Sequence, residues 1–186
     1  MRIVVGITGA SGAVYGVKLL VHLKKLGAET HLVVSRWAEY TLKTEAGMSL
    51  SEVRELAAHS YSPDDLAAPI ASGSFLHDGM IVAPCSMKTL AAIACGFSDN
   101  LISRAADVTI KEGRRLVLLP RETPLNAVHL ENMLRLARCG VIIMPPVPAF
   151  YGQPKTVDDV VEHSVGRALS LVGIKNDLYF RWGGLD

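Results

Sequence analysis

The sequence has few cysteines, almost no net charge and no long apolar run. Its three cysteines, Cys85, Cys95 and Cys139, are widely spaced and match no zinc or disulfide pattern, which predicts free thiols in a reducing compartment. A formal net charge of +1 gives no electrostatic reason to expect nucleic acid or a membrane surface as a partner. No apolar run approaches the roughly 20 residues of a membrane span, and no leader pattern precedes the first apolar segment. We therefore expect one cytoplasmic domain over residues 1–186.

Short apolar runs alternate with longer segments of helical periodicity. The predicted strands are Arg2–Thr8, Glu29–Ser35, Gly79–Pro84, Arg115–Pro120 and Gly140–Pro145. The predicted helices are Ala13–Leu26, Trp37–Thr44, Ser51–His59, Ser86–Cys95, Asn100–Glu112, Ala127–Arg138 and Val157–Val172. The segment Ser60–Gly73 is predicted as an irregular loop. This alternation is typical of a doubly wound, Rossmann- or flavodoxin-like α/β fold, a three-layer sandwich with a mostly parallel sheet.

Ligands of such folds bind outside the carboxyl ends of the strands, so the loop after the first strand is the first candidate site. In this loop Gly9 and Gly12 flank Ala10 and Ser11, a spacing that differs from the G-x-G-x-x-G dinucleotide fingerprint. The second strand ends in Ser35, without the acidic residue typical of NAD sites. The loop is therefore either a structural turn or a cradle for another nucleotide.

The residues after the third predicted strand are Ser86-Met87-Lys88-Thr89. Ser86 occupies a helix N-cap position, where hydroxyl and main-chain N–H groups favour anions. Simple helix capping explains this pattern equally well. Two such helix starts on neighbouring strands suggest a mononucleotide phosphate.

Charged residues at the end of the fourth predicted strand and at the end of a predicted helix could act as general acids or bases. Arg121 and Glu122 follow the fourth strand, where they are either a salt-bridged loop or a fixed cation beside a general acid or base. Glu45 ends a predicted helix, where a carboxylate is electrostatically unfavourable, and this hints at a role in the cleft.

A second cationic pocket is predicted from residues that could each also be ordinary surface residues. Tyr151 follows a proline-rich segment, Arg167 lies within the last helix and Lys111 ends an earlier helix. With Arg121 they would form a pocket large enough for a phosphate. The six histidines show no ligand spacing, so we expect no metal site.

The motifs taken together resemble the UbiX/Pad flavin prenyltransferase family, over Arg2 to Gly184. They read "GITGASGAVYG", "ASGSF", "IVAPCSMKTLAAIA", "LISRAADVTIKEGRRLVLLPRETPL", "HLENMLRLARCGVIIMPPVPAFYGQP" and "RWGG". The resemblance implies transfer of a dimethylallyl group from dimethylallyl monophosphate to N5 and C6 of reduced FMN, without a metal. It also implies a homododecamer whose product, prenylated FMN, serves UbiD-type decarboxylases.

The resemblance also implies residue roles. Residues implied to hold FMN are Gly9, Ala10, Ser11, Ser35, Ser86, Met87, Lys88, Thr89 and Arg121. Those implied at the prenyl phosphate are Tyr151, Arg167, Arg121 and Lys111. Glu45, Glu122 and Ser11, with Lys111 as a charge stabiliser, would carry the chemistry. Arg104 would lie near the flavin, and Trp182 would come from the tail, in its own or a neighbouring subunit's site.

One position departs from the family pattern, and two other functions compete. Some family members carry an aromatic residue near Leu66 that lines the prenyl site. A cysteine decarboxylase with the same fold would show a Pro-Ala-Ser-Ala-Asn-Thr type of loop and an early histidine, whereas this chain reads "APCSMKTL". A non-catalytic flavin-binding subunit would not need a second cationic pocket.

Overall fold

The computed structural model describes residues 1–184, which form one parallel sheet with helices on both faces. The strands are β1 (Arg2–Ile7), β2 (Glu29–Val34), β3 (His59–Tyr61), β4 (Gly79–Cys85), β5 (Arg115–Pro120) and β6 (Ile142–Ile143). The helices are α1 (Ala13–Lys25), α2 (Arg36–Glu45), α3 (Leu50–Arg54), α4 (Met87–Cys95), α5 (Leu101–Lys111), α6 (Ala127–Arg138) and α7 (Val157–Leu171). A short 3-10 turn covers Pro69–Ala71.

The strand order is β3-β2-β1-β4-β5-β6, and every pairing is parallel. The chain builds outward from β1 to β3, then returns to the centre and builds the other half from β4. The order therefore reverses between β1 and β4, and open α/β sheets bind ligands at such a reversal. The predicted doubly wound α/β fold is confirmed.

Alternating side chains on β1 explain why both faces of the sheet carry helices. Ile3 and Ile7 pack with α1 and α7 on one face, whereas Val4 packs with α4 and α5 on the other. All three are fully buried. Such double burial is the reason that the strand reads as a continuous apolar run rather than as an alternating one.

Two element predictions were wrong. In place of the predicted helix Ser51–His59 there is only the short α3. The strand β3 begins at His59, the last residue of that predicted helix, and continues into the predicted loop. The strand is three residues long and polar, so it carries no apolar periodicity. The last strand is also shorter than predicted, because only Ile142 and Ile143 pair with β5.

No helix within residues 1–184 is both long and apolar enough to span a bilayer.

Candidate active site

The ends of the two central strands are joined by the side chain of Thr8. Its hydroxyl donates to the carbonyl of Pro84 at 2.8 Å and accepts from the N–H of Ser86 at 2.7 Å. Thr8 is only 1% exposed, so these bonds are shielded from water. They fix the loop after β1 against the loop after β4, at the point where the strand order reverses.

A cleft of about 500 Å³ opens beside this junction. Its lining comes from the ends of β1, β2 and β4 and from the start of α5. The lining residues are Gly9, Ser35, Arg36, Trp37, Pro63, Asp64, Ser86, Lys88, Thr89, Asp99, Asn100 and Ile102. Of the residues predicted from the sequence, those that line this cleft are Gly9, Ser35, Ser86, Lys88 and Thr89, whereas Ala10, Ser11, Met87, Arg121 and Glu122 are not among the lining residues.

The start of α4 presents hydroxyl groups to the cleft. The Ser86 hydroxyl oxygen accepts from the Thr89 N–H at 3.3 Å, and the Ser86 hydroxyl donates to Thr89 Oγ1 at 3.1 Å. Helix capping is therefore present, as expected. The first turn of a helix also carries N–H groups without intrahelical partners, so the same end can bind an anion.

Glu45 caps α1, although it lies at the far end of α2. Its Oε2 accepts from the N–H of Gly12 at 2.7 Å and from that of Ala13 at 3.1 Å. The Gly12 N-cap has a φ of +105° and offers no side chain of its own. The unfavourable position of this carboxylate on α2 is thus offset by the positive end of α1.

The surroundings of Glu45 keep it ionised. Burial acts to raise its pKa, but the hydrogen bonds from Gly12 and Ala13 outweigh burial and leave the pKa below its ordinary value. The Ser11 hydroxyl and the charge of Arg121 act in the same direction. Glu45 therefore lies at the start of α1, next to the loop whose Gly9 lines the cleft, whereas Ser11, Glu45 and Arg121 are not themselves among the lining residues.

Gly9 allows the loop after β1 to lie directly against α2. A Cβ at this position would come within 2.5 Å of Trp37 Cβ, so a side chain cannot be accommodated without a shift. Trp37 itself is largely exposed and lines the cleft. Sequence reasoning missed this tryptophan, because nothing in the helical pattern marks it as a cleft residue.

Arg121 and Glu122 follow β5 as predicted and are exposed. The Arg121 N–H donates to the carbonyl of Cys85 at 3.3 Å, which ties this loop to the end of β4. Burial raises the pKa of Tyr15 and the charge of Arg121 opposes that effect, which places the guanidinium near the start of α1. The Glu122 carboxylate accepts from the Thr123 N–H at 3.0 Å and is otherwise open to solvent.

Tyr151 belongs to a separate aromatic cluster formed by α7 and the C-terminal tail. Its hydroxyl lies 3.3 Å from His163 Nε2, and its ring lies 6.1 Å from that of Trp182. Arg167 is one helical turn beyond His163, and together with the hydrogen bond to Ser170 it lowers the pKa of Tyr179. The contact between His163 and Tyr151 could not be predicted from spacing, because 12 residues separate them.

Lys111 lies far from Arg121 within one chain. The helix α5 begins at the cleft, where Asn100 and Ile102 line it, and ends at Lys111. Its 11 residues extend about 15 Å, so Lys111 lies at the amino-terminal end of the parallel strands, opposite to the cleft. There its ammonium pairs with Glu112. The predicted single pocket of Lys111, Arg121, Tyr151 and Arg167 is therefore not assembled by residues 1–184 of one chain.

Arg104 and Leu66 are both removed from the strand ends. The Arg104 side chain lies on α5, where Nε donates to the carbonyl of Ala71 at 3.1 Å and Nη1 pairs with Asp107 at 3.0 Å. Leu66 is exposed in the segment before the 3-10 turn. Neither is seen to enter the cleft.

The strand order reverses between β1 and β4, and helix starts that carry hydroxyl groups lie at this reversal. Many nucleotide-binding proteins share this architecture. Similarity to known proteins identifies the nucleotide as a flavin. The family model described as "Flavoprotein" matches residues 1–169. A probable UbiX-like flavin prenyltransferase of Bacillus subtilis is 56% identical over the whole of this chain and 91% of its own length.

Two solved structures share the fold over nearly every residue. One is a crystal structure of AnUbiX (PadA1) in complex with FMN and dimethylallyl pyrophosphate, with 55% identity, a TM-score of 0.97 and coverage of 100% of this chain and 98% of that one. The other is a dodecameric FMN-dependent UbiX-like decarboxylase of Escherichia coli O157:H7, with 55% identity, a TM-score of 0.96 and coverage of 99% and 100%. The chain belongs to the Flavoprotein family and, within it, to the UbiX-like flavin prenyltransferases, which confirms the resemblance found in the sequence.

Proposed function

We propose that this chain transfers a dimethylallyl group from dimethylallyl monophosphate to N5 and C6 of reduced FMN, giving prenylated FMN. The observation that carries the proposal is the full-length match, at 55% identity and a TM-score of 0.97, to a structure in complex with FMN and dimethylallyl pyrophosphate. The groups at the cleft have the chemistry that this reaction needs. A metal is not required, because cationic side chains can stabilise the leaving phosphate.

FMN is the substrate that the cleft would hold. The start of α4, with Ser86 and Thr89, would take the phosphate, helped by Lys88 and by Ser35 at the start of α2. Gly9, Ala10 and Met87 would contact the flavin through the main chain. Ser11, Glu45 and Arg121 would then lie toward the reacting ring.

The reaction breaks the bond between the allylic carbon and the phosphate oxygen. Negative charge collects on the leaving phosphate, while N5 of the flavin supplies the electron pair for the new bond and loses a proton. A second bond then joins C6 to the distal prenyl carbon after the double bond gains a proton, and the C6 proton leaves. Glu45 with Ser11 would relay a proton near N5, and Glu122 or the released phosphate would accept the proton from C6.

The donor phosphate would be held by residues of more than one copy of the chain. Arg167 lies on α7, Tyr151 lies in the turn that precedes this helix, and Lys111 lies at the opposite end of the strands from Arg121. The exposed aromatic side chains of Trp37, Phe150 and Trp182 give this chain apolar surface for self-association. A homododecamer would allow Lys111 and Trp182 of neighbouring copies to complete each cleft, with Arg104 in support.

The whole chain would act as one catalytic unit in the cytoplasm and supply prenylated FMN to a UbiD-type decarboxylase. Free Cys95 and Cys139 on the surface are compatible with a reducing compartment.

The test is to incubate the purified protein with chemically reduced FMN and dimethylallyl monophosphate in buffer treated with EDTA, and then to weigh the flavin. We expect the flavin to gain the mass of one isoprene unit. Dimethylallyl pyrophosphate with and without Mg²⁺ is the comparison donor. An unchanged flavin, or a reaction that needs both the diphosphate and Mg²⁺, would contradict the proposal.

A further inference from the structure

Three side chains with metal-binding chemistry meet on the outer strands of the sheet, away from the flavin cleft. Glu29 and His31 lie at the beginning of β2, and His59 begins β3. The cleft lies at the other end of these parallel strands. The sequence predicted no metal site, because His31 and His59 are separated by the whole crossover from β2 through α2 and α3 and show no ligand spacing.

The strand register holds the two histidines side by side. His31 and His59 are direct partners in the β2–β3 pairing, so both side chains project from the same face of the sheet. Their rings stack with centroids 4.6 Å apart and an angle of 21° between planes. Both Nε2 atoms face Glu29 Oε1, at 3.0 Å for His31 and 3.6 Å for His59.

These separations match the edges of a small coordination polyhedron. Ligands about 2.0–2.1 Å from a tetrahedral Zn²⁺ are roughly 3.3–3.4 Å from one another. The three ligand atoms lie within 4.8 Å of each other, and the two measured edges bracket the tetrahedral value. Because the two rings are stacked, the exposed His59 side chain would have to reorient for both Nε2 lone pairs to point at one ion.

Tyr61 holds the His31 ring in place through a hydrogen bond to its Nδ1 atom. Its hydroxyl lies 2.8 Å from His31 Nδ1, on the side of the ring away from Glu29. A phenol can both donate and accept, so it can satisfy His31 whether or not Nε2 carries the proton. When a metal replaces that proton, Nδ1–H donates to Tyr61, which is the arrangement that orients metal-bound histidines. His31 is 2% exposed, so its ring is held in place between Tyr61 and Glu29.

We propose that Glu29, His31 and His59 bind one divalent transition-metal ion of the Zn²⁺ type, with the fourth position open to solvent. Two imidazoles and one carboxylate are a donor set that suits zinc better than calcium or magnesium. His59 and Glu29 are partly exposed, so an ion can enter from solvent. The bound ion ties the three-residue edge strand β3 to β2.

Arg2 competes with the metal for the same carboxylate. Its Nε lies 3.1 Å from Glu29 Oε1 but finds no hydrogen-bond partner of good geometry there. The guanidinium is held in place instead by the carbonyl of Leu76 at 2.8 Å and by the ring of Phe75. A metal ion therefore displaces a poorly bonded cation, and removal of the Arg2 charge must strengthen metal binding.

The experiment titrates the intact, EDTA-dialysed protein with Co²⁺, followed by its visible absorption, and then displaces Co²⁺ with Zn²⁺. We expect one ion per chain. His59→Gln and Tyr61→Phe should each weaken binding roughly tenfold or more, whereas Arg2→Met should tighten it.

Matched controls separate this site from adventitious binding. His129→Gln removes a histidine from α6, and the Cys95→Ser/Cys139→Ser variant removes the exposed thiols. Both should bind Co²⁺ like the parent protein, and His59→Gln should retain flavin prenyl transfer, because His59 lies outside the cleft. Less than one ion per chain, or equal affinity in the parent, His59→Gln and Arg2→Met proteins, would overturn the proposal.

Discussion

The hydroxyl of Thr8 accepts a hydrogen bond of 2.7 Å from the N–H of Ser86, and so couples the ends of β1 and β4. It also donates to Pro84, so one buried side chain satisfies two main-chain groups. Both sides of the flavin cleft begin at this contact. Its removal should therefore affect both stability and flavin binding.

Thr8→Val keeps the shape of the side chain and removes both hydrogen bonds. We expect a loss of about 1–3 kcal/mol in the free energy of unfolding, because the N–H of Ser86 loses its partner, whereas the Pro84 carbonyl still accepts from the N–H of residue 8 at 3.2 Å. FMN binding should weaken as the two loops lose their fixed separation. Urea unfolding and fluorescence titration with FMN measure the two effects, and Thr8→Ser should restore both.

Ser86→Ala removes the N-cap of α4. We expect a stability loss of about 1 kcal/mol together with weaker FMN binding, because the hydroxyl faces the cleft. Ser49→Ala is the matched control, since Ser49 caps α3 through an equivalent 3.3 Å bond from Glu52 and lies outside the cleft lining. A similar loss of FMN affinity in both variants would show that Ser86 acts only through stability.

Glu45→Gln should retain flavin but slow prenyl transfer. The amide oxygen can still accept from the N–H of Gly12, whereas the charge and the proton-accepting capacity are lost. Flavin mass under single-turnover conditions gives the rate, and FMN titration gives the affinity. Loss of flavin at an unchanged rate would assign Glu45 a purely structural role.

The ionised form of Glu45 should also contribute to stability in a defined pH range. Its pKa in the folded protein is below the ordinary value of 4.5, so the contribution is complete at pH values above 4.5 and is lost as the pH falls through the folded pKa. Urea unfolding of the parent and of Glu45→Gln should therefore differ most at neutral pH. The difference should shrink as the pH falls below 4.5.

Mixed oligomers test whether a site draws on two copies of the chain. Lys111→Met and Arg121→Met should each abolish most activity alone. If Lys111 acts on a neighbouring cleft, an equal mixture refolded together should regain about a quarter of parental activity, because that fraction of sites draws two intact residues from different chains. A mixture as inactive as its components would mean that Lys111 and Arg121 act within the same chain, and full activity of Lys111→Met alone would place Lys111 outside the reaction.

The extent of sequence prediction depended on how local each signal was. The buried strands and the residues that follow them could be located, because apolar runs and helix caps are properties of neighbouring residues. The strand β3 could not, since its pairing with β2 supplies the order that its polar sequence lacks. The helix α5 runs away from the cleft and so separates Lys111 from Arg121. The spacing of residues in the sequence does not show in which direction a helix runs relative to the cleft.

The Glu45 carboxylate, which caps the start of α1 from the end of α2, limits where a flavin phosphate can bind. Of the two helix starts at the reversal of the sheet, one already holds a carboxylate of the chain itself, and only the start of α4 is left for a phosphate. In the binding mode that we propose, with the FMN phosphate at the start of α4, the flavin ring would point toward Ser11 and Arg121. The Glu45 carboxylate at the start of α1 would repel a phosphate from that helix start. It would therefore select the orientation of the flavin relative to the prenyl donor.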